Sequence, residues 1–306
     1  MSEYWHSSSL PAATVPMSGQ IDFRSGLNGR DYCVQIAFPA GAPPEGGYPV
    51  LYVVDGDMHF PAFVSTARIR SHTLELEPAV VVGIGYPESR SDLLACLQRR
   101  NADLTPTQAS SEEQAGISRQ LGGLAVDRFG EADIFLDIIE TEIKPRVSEL
   151  VPVAAGRDIL FGHSLGGMFT LHALFTRPAM FSTFLALSPS IWWDGQAVLK
   201  GEAGFVHRVR TGEAAPRVFV GVGEHEQDPS YIPQMPAEAV LQAAMVDNAQ
   251  SLAERLAAVE GAAGYRVESR LFAGETHTAV ATTAINALLD FALPGPTPRA
   301  RAALAA

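Results

Sequence analysis

The run Gly162-His-Ser164-Leu-Gly166-Gly167 sets a serine between glycines. It follows the short apolar stretch Asp158 to Phe161 and precedes the helically spaced residues Met168, Leu171, Leu174 and Phe175. Such a serine can be exposed on a tight strand-to-helix turn, where the two backbones approach too closely to leave room for neighbouring Cβ atoms. The helix start also aims free N–H groups and the positive end of its dipole at charge developing on a substrate oxygen. The pattern points to covalent acyl transfer with Ser164 as nucleophile. The plainer alternative is a serine that only caps the following helix.

A serine needs a base at neutral pH. His277, in Phe272-Ala-Gly274-Glu-Thr-His277, lies between the last strand candidate and the last helix, where the final loop can bring it to Ser164. An acid is then expected after the preceding strand, in the order Ser, acid, His. Glu224-His225-Glu226-Gln227-Asp228 occupies that place. Glu226 is the first choice to orient His277, followed by Asp228 and Glu224; chain order alone does not separate them. The same cluster is rich in metal-ligand atoms, but it lacks an H-E-x-x-H pattern or a spaced histidine pair, so neither metal nor cofactor is expected. For the oxyanion, one donor is the backbone N–H of Leu165. The second is expected on the turn Asp55-Gly56-Asp57-Met58, where Gly56 permits a bend that aims the Asp57 N–H inward; an ordinary Asp-Gly turn is the alternative.

These residues must be held by a sheet. Asp31 to Phe38 alternates like a half-exposed strand entered by an Asn28-Gly29 turn, whereas Pro49 to Val54, Ala79 to Ile84, Asp158 to Phe161, Phe184 to Leu187 and Val218 to Val222 read as strands apolar on both faces. Arg266 to Phe272 is the last candidate. Three helical patterns lie between or after them: Ala132, Phe135, Ile139 and Ile143, closed or kinked by Pro145; Leu241, Met245, Leu252 and Leu256; and Val280, Ala284, Leu288 and Phe291. This alternation predicts an α/β fold, a mostly parallel, twisted sheet with helices on both faces and ligands at the carboxyl ends of its strands.

The chain of 306 residues, 47% hydrophobic, can bury one large core. With no linker or repeat in view, it reads as a single domain over residues 20–293, with an N-terminal arm at 1–19, a polar cap region at about 100–130 and a C-terminal tail at 294–306. Its net charge of −12 argues against nucleic-acid partners. Cys33 and Cys96 provide neither a disulfide framework nor a metal motif. No stretch is long and apolar enough for a membrane span, and the first residues do not resemble a secretory signal, so a cytoplasmic, non-membrane protein is expected. The oligomeric state is not readable.

Leu51-Tyr-Val-Val-Asp-Gly56, Gly162 to Gly167, Ser188-Pro-Ser-Ile-Trp-Trp193, Gly221 to Glu226 and Phe272 to His277 together resemble the esterase branch of the α/β-hydrolase superfamily that includes esterase D, mycolyltransferases and feruloyl esterases. With Arg99-Arg-Asn-Ala-Asp-Leu-Thr-Pro106, the likeness is greatest to the ferric-siderophore esterases of enterobactin or salmochelin type. The resemblance implies a single-domain α/β-hydrolase fold and hydrolysis of carboxylic esters through an acyl-enzyme. The substrate implied is a small-molecule ester, a catecholate siderophore that can carry its own iron. In mycolyltransferases the matching Asp-Gly turn supplies an oxyanion amide, which supports Asp57. A trianionic iron complex would call for cations, so Arg99 and Arg100 are expected at a locally basic mouth, with Arg68, Arg70 and Arg90 nearby. The other reading is a set of solvated surface arginines, or Arg100 paired with Asp103 to shape the loop. Trp192 and Trp193 are expected either to stack on an aromatic acyl group or to pack in the core. Two further functions stay open: a general carboxylesterase or thioesterase, and a non-catalytic binding module on the same fold.

Overall fold

The computed structural model describes residues 14–40, 43–90, 93–108, 110–111, 114–115 and 128–296. Eight strands form one sheet: β1 (Ser18–Arg24), β2 (Asp31–Ala37), β3 (Tyr48–Val54), β4 (Val80–Gly85), β5 (Val153–His163), β6 (Thr183–Leu187), β7 (Arg217–Gly223) and β8 (Arg266–Phe272). Their order is β1-β2-β4-β3-β5-β6-β7-β8. The pairs β1/β2 and β2/β4 are antiparallel, and every pair from β4/β3 to β7/β8 is parallel. β3, β4 and β6 are buried along their whole lengths, which is why they read as unbroken apolar runs.

Helices cover both faces. On one side, α1 (Gly56–His72) brings Phe60, Phe63 and Val64 against the sheet, beside Val280 and Leu288 from the C-terminal helices. The larger core on the other side includes Phe135, Phe169, Leu174, Phe205 and Leu252. The next helices in chain order are α2 (Leu93–Leu104), α3 (Ala132–Ile138), α4 (Lys144–Leu150), α5 (Leu165–Thr176) and α6 (Glu202–Arg210), the last carrying Phe205.

Several elements differ from the sequence reading. The expected arm ends early, because Ser18 and Gly19 already belong to β1, an edge strand whose polar side faces out. Residues 1–13 of that arm lie outside the described residues. So do 297–306 of the tail, whose first residue, Pro294, bridges to Leu76. Of the expected cap, residues 100–104 finish α2, while 109, 112–113 and 116–127 lie outside the described residues. Of the expected turn at residues 55–58, only Asp55 stands outside a helix: Gly56 already starts α1, a helix hidden by Pro61 and by its weak amphipathic pattern. Pro145 does not end its helix. A π-helical turn over Ile139–Ile143 precedes it, and Pro145 sits in the first turn of α4, where its missing N–H costs little. The single helix expected through Leu241 and Leu256 is two, α7 (Ala237–Ala243) and α8 (Met245–Ala257), separated by Ala244 in a left-handed conformation.

Candidate active site

Ser164 sits at the carboxyl end of β5, one residue before α5. Its φ of 61° is unusual for a residue with a side chain and marks a strained elbow. Close packing explains the glycines around it. A Cβ on Gly162 would collide with the Gly166 carbonyl and stand 2.8 Å from Thr170 Oγ1. On Gly166 it would meet Val54 Cγ2 at 2.9 Å, and on Gly167 the Leu187 carbonyl at 2.6 Å. Backbone bonds from Ser164 N to Leu187 O (3.0 Å) and from Ser190 N to Ser164 O (3.1 Å) tie the elbow to the end of β6.

His277 comes from the loop after β8. Its Nδ1 lies 2.6 Å from Glu226 Oε2. The other oxygen of Glu226 accepts from Ser188 Oγ at 2.5 Å and from Gly223 N at 2.6 Å. Glu226 is 1% exposed, so its charge is held by these donors rather than by water. The two competing carboxylates point elsewhere: Glu224 Oε2 accepts from Gly274 N at 2.7 Å, and Asp228, on the surface, caps Ser230. The structure thus brings Glu226, alone of the three, to His277. Among the described residues, no group of three or more His, Cys, Asp or Glu side chains converges as a metal site.

A second histidine supports the arrangement. His163 Nε2 lies 2.8 Å from the His277 carbonyl, which can only accept, so the proton is on Nε2. Burial, and then the positive charge that His277 can carry, holds the His163 pKa well below the usual histidine range. His59 packs edge-on against His163, and burial lowers its pKa as well.

Ser164 and His277 line one cleft of about 280 Å³, together with Ser190, Trp192, Tyr231, Met235 and Met245. Ser190 Oγ is 3.5 Å from Ser164 Oγ. Tyr231 lies flat on His225, with ring centroids 3.8 Å apart. Leu165 is the first residue of α5 and Asp57 the second of α1, so each expected oxyanion amide belongs to a first helical turn, whose N–H groups point out of the helix end.

Three of the expected substrate contacts are placed elsewhere. Trp193 is fully buried, 5.2 Å from the Phe129 ring, with Nε1 toward Thr107 O; of the pair only Trp192 reaches the cleft. Arg99 lines a separate cavity, binds Glu88 (2.8 Å) and Asp31 O (2.8 Å), and lies over the rings of Tyr32 and Tyr86. Arg100 is paired in two-pronged fashion with Asp55, at 2.7 and 2.6 Å, instead of with Asp103. Asp103 binds Tyr32 and Arg30. The cause is the direction of α2, which turns Arg100 toward the β3–α1 turn and Arg99 toward β2. Arg68 and Arg70 sit on α1, Arg70 in ion pairs with Glu75 and Asp290, and the Arg90 side chain lies outside the described residues. No lysine or arginine lines the cleft among the described residues, so the expected basic mouth is not found there.

Sequence reasoning missed Ser188, Ser190, Tyr231 and His163 as members of the site. Ser188 and Ser190 follow the end of β6, next to the strand that carries the acid, and that strand-end position was the available signal.

A glycine-flanked serine at the end of a central strand, lining one cleft with a histidine from the last loop, defines an ester hydrolase of the α/β-hydrolase fold. The chain belongs to the putative-esterase family, whose sequence model matches residues 25–269. It is similar to the ferri-bacillibactin esterase BesA of Bacillus subtilis (strain 168), 33% identical over 285 residues, with 92% of this chain and 91% of that protein covered. It is also similar to a siderophore triacetylfusarinine C esterase of Aspergillus fumigatus, 34% identical over 208 residues and 66% of each chain. Among solved structures, the siderophore hydrolase EstB of Aspergillus nidulans matches with a TM-score of 0.77 at 28% identity, over 95% of this chain and 100% of that one. The BES protein of Bacillus cereus also matches with a TM-score of 0.77, at 29% identity, over 93% and 98%. No helix among the described residues is long and apolar enough to cross a membrane.

Proposed function

We propose that this chain hydrolyses the ester bonds of a siderophore through an acyl-enzyme. Ser164 attacks the ester carbonyl while His277 takes its proton. Glu226 fixes the histidine tautomer and balances the imidazolium that forms. The amides of Leu165 and Asp57 receive the oxyanion. The leaving alkoxide takes the proton from His277, and a water activated by the same histidine then releases the acid. The observation that carries the mechanism is the 2.6 Å contact of His277 with a buried Glu226 in the cleft that also holds Ser164. The siderophore is carried by similarity to a ferri-bacillibactin esterase over nine-tenths of the chain.

The cleft wall agrees with an aromatic or apolar acyl arm: Trp192, Tyr231, Met235 and Met245 offer flat and adaptable apolar surface. At about 280 Å³ the cleft suits one arm of a larger ester. The lack of a lysine or arginine among its described lining residues favours a second reading, a carboxylesterase of neutral esters. One experiment separates the two. Purified protein is incubated with iron-free and iron-loaded enterobactin and, separately, with a p-nitrophenyl ester, and the products are resolved. Linear trimer, dimer and monomer, all absent with Ser164→Ala, are expected. Intact macrocycle beside rapid p-nitrophenyl turnover would leave the carboxylesterase reading. Turnover retained by Ser164→Ala would overturn the nucleophile.

A further inference from the structure

We propose that Arg100 is a positioning residue that acts through Asp55 to hold the oxyanion turn; this rests on the acyl-enzyme reading above. Asp55 has a φ of 53° and a ψ of 43°, a left-handed conformation that is unfavourable for a residue with a side chain and persists only where its surroundings impose it. The surroundings here are specific. Both oxygens of Asp55 are taken by the Arg100 guanidinium, at 2.7 and 2.6 Å, and the carboxylate is 2% exposed. A Cβ on Gly56 would stand 2.6 Å from the Gly83 and Ile84 backbone, so β4 presses on the turn from the opposite side. The Asp57 carboxylate accepts from Tyr86 N at 2.9 Å. The backbone between Asp55 and Asp57 is therefore anchored at both ends.

The pair also reaches the nucleophile. A Cβ on Gly166 would lie 3.5 Å from Asp55 Oδ2, so the carboxylate rests against the first turn of α5, two residues beyond Ser164. One ion pair thus joins α2, the β3–α1 turn and the nucleophile's helix, the two places from which the oxyanion donors come. Arg99 complements it. Held by Glu88, Asp31 O and the rings of Tyr32 and Tyr86, it pins α2 so that the next residue meets Asp55 squarely. The Arg99-Arg100 run is therefore a brace for the site, not a cation for the substrate.

The test compares Arg100→Met, Arg100→Lys and the double variant Arg100→Met/Asp55→Asn on two esters sharing a leaving group, one neutral and one anionic. A trifluoromethyl ketone, which places a hemiketal oxygen in the oxyanion site, is titrated in parallel. Arg100→Met leaves Asp55 buried and unpaired and is expected to fold poorly; the double variant removes both charges and keeps the measurement possible. The expected result for the variants that fold is a kcat lowered at least about tenfold on both esters, on the scale of a displaced oxyanion donor. KM should stay within about twofold, the ketone Ki should rise in step with the loss in kcat/KM, and lysine should restore part of the loss. A rise in KM confined to the anionic ester would put Arg100 on the substrate and overturn the proposal. Unchanged kcat and ketone affinity with only a lowered Tm would overturn it too. Ser164→Ala assayed alongside keeps the failures apart: turnover retained there sinks the acyl-enzyme reading, whereas a dead Ser164→Ala beside unaffected Arg100 variants sinks only the brace.

Discussion

Glu226 uses both of its oxygens: one on Ser188 Oγ and Gly223 N, the other on His277 Nδ1. Neighbouring carboxylates cannot replace it, because Asp228 is committed to Ser230 and Glu224 to Gly274 N. Glu226→Gln should therefore lower kcat by at least about a hundredfold, since the amide can neither hold the tautomer nor balance the imidazolium. Asp228→Asn should stay within about twofold. Equal small losses in both would show that serine and histidine suffice. The candidate nucleophile and base were legible in the chain because their spacing relative to strands is a local property. The choice among three acids was not, because it depends on which side chain meets a loop some fifty residues further on. Arg100 was legible as an unusual residue, but its partner was not: Asp55 lies 45 residues away, and no local pattern announces the pair.

At the level of elements, the central strands were plain because both faces are buried, so apolar residues run without interruption. β1 escaped notice because Ile21 and Phe23 alternate with polar residues at an exposed edge. The break at Ala244 escaped because alanine carries no signature for a left-handed turn. The elbow between β5 and α5 is the element on which most depends, and its tightness is measurable. Gly162→Ala forces a methyl group into the Gly166 carbonyl and should cost about 2–3 kcal/mol, with a fall in turnover as the serine is displaced. Gly19→Ala, at a position with nothing within 4 Å of the added Cβ, should stay within about 0.5 kcal/mol. Thermal unfolding of the two variants checks the contrast; equal midpoints would mean the elbow relaxes freely.

Across the whole molecule, a net charge of −12 surrounds a cleft whose described wall is neutral apart from Glu226 and, when protonated, His277. Beneath that wall His163 and His59 are buried in neutral form, with pKa values below the ordinary 6.5. Below that pH the unfolded chain binds protons that the folded protein refuses, so stability is full above pH 6.5 and declines as the solution is acidified. Each such histidine contributes a slope of up to about 1.4 kcal/mol per pH unit. His163→Gln keeps a donor for the His277 carbonyl but does not titrate. Urea unfolding at pH 7.5 and at pH 5 (chosen as about 1 to 1.5 units either side of the ordinary histidine value) should show a smaller acid loss in the variant than in the parent. An identical loss would mean that His163 is protonated in the folded state.

The acid and much of the cleft wall share one excursion of chain, from β7 to α7. Glu226 stands at its root, fastened on three sides, while Tyr231, Ile232, Gln234 and Met235 occupy its far portion. Catalytic placement and substrate taste are thus separable along a dozen residues. A graft that replaces 229–236 with a segment of other length or shape leaves every contact of the carboxylate in place, which makes this stretch the natural point for diversifying the esters the protein accepts, in evolution or by design.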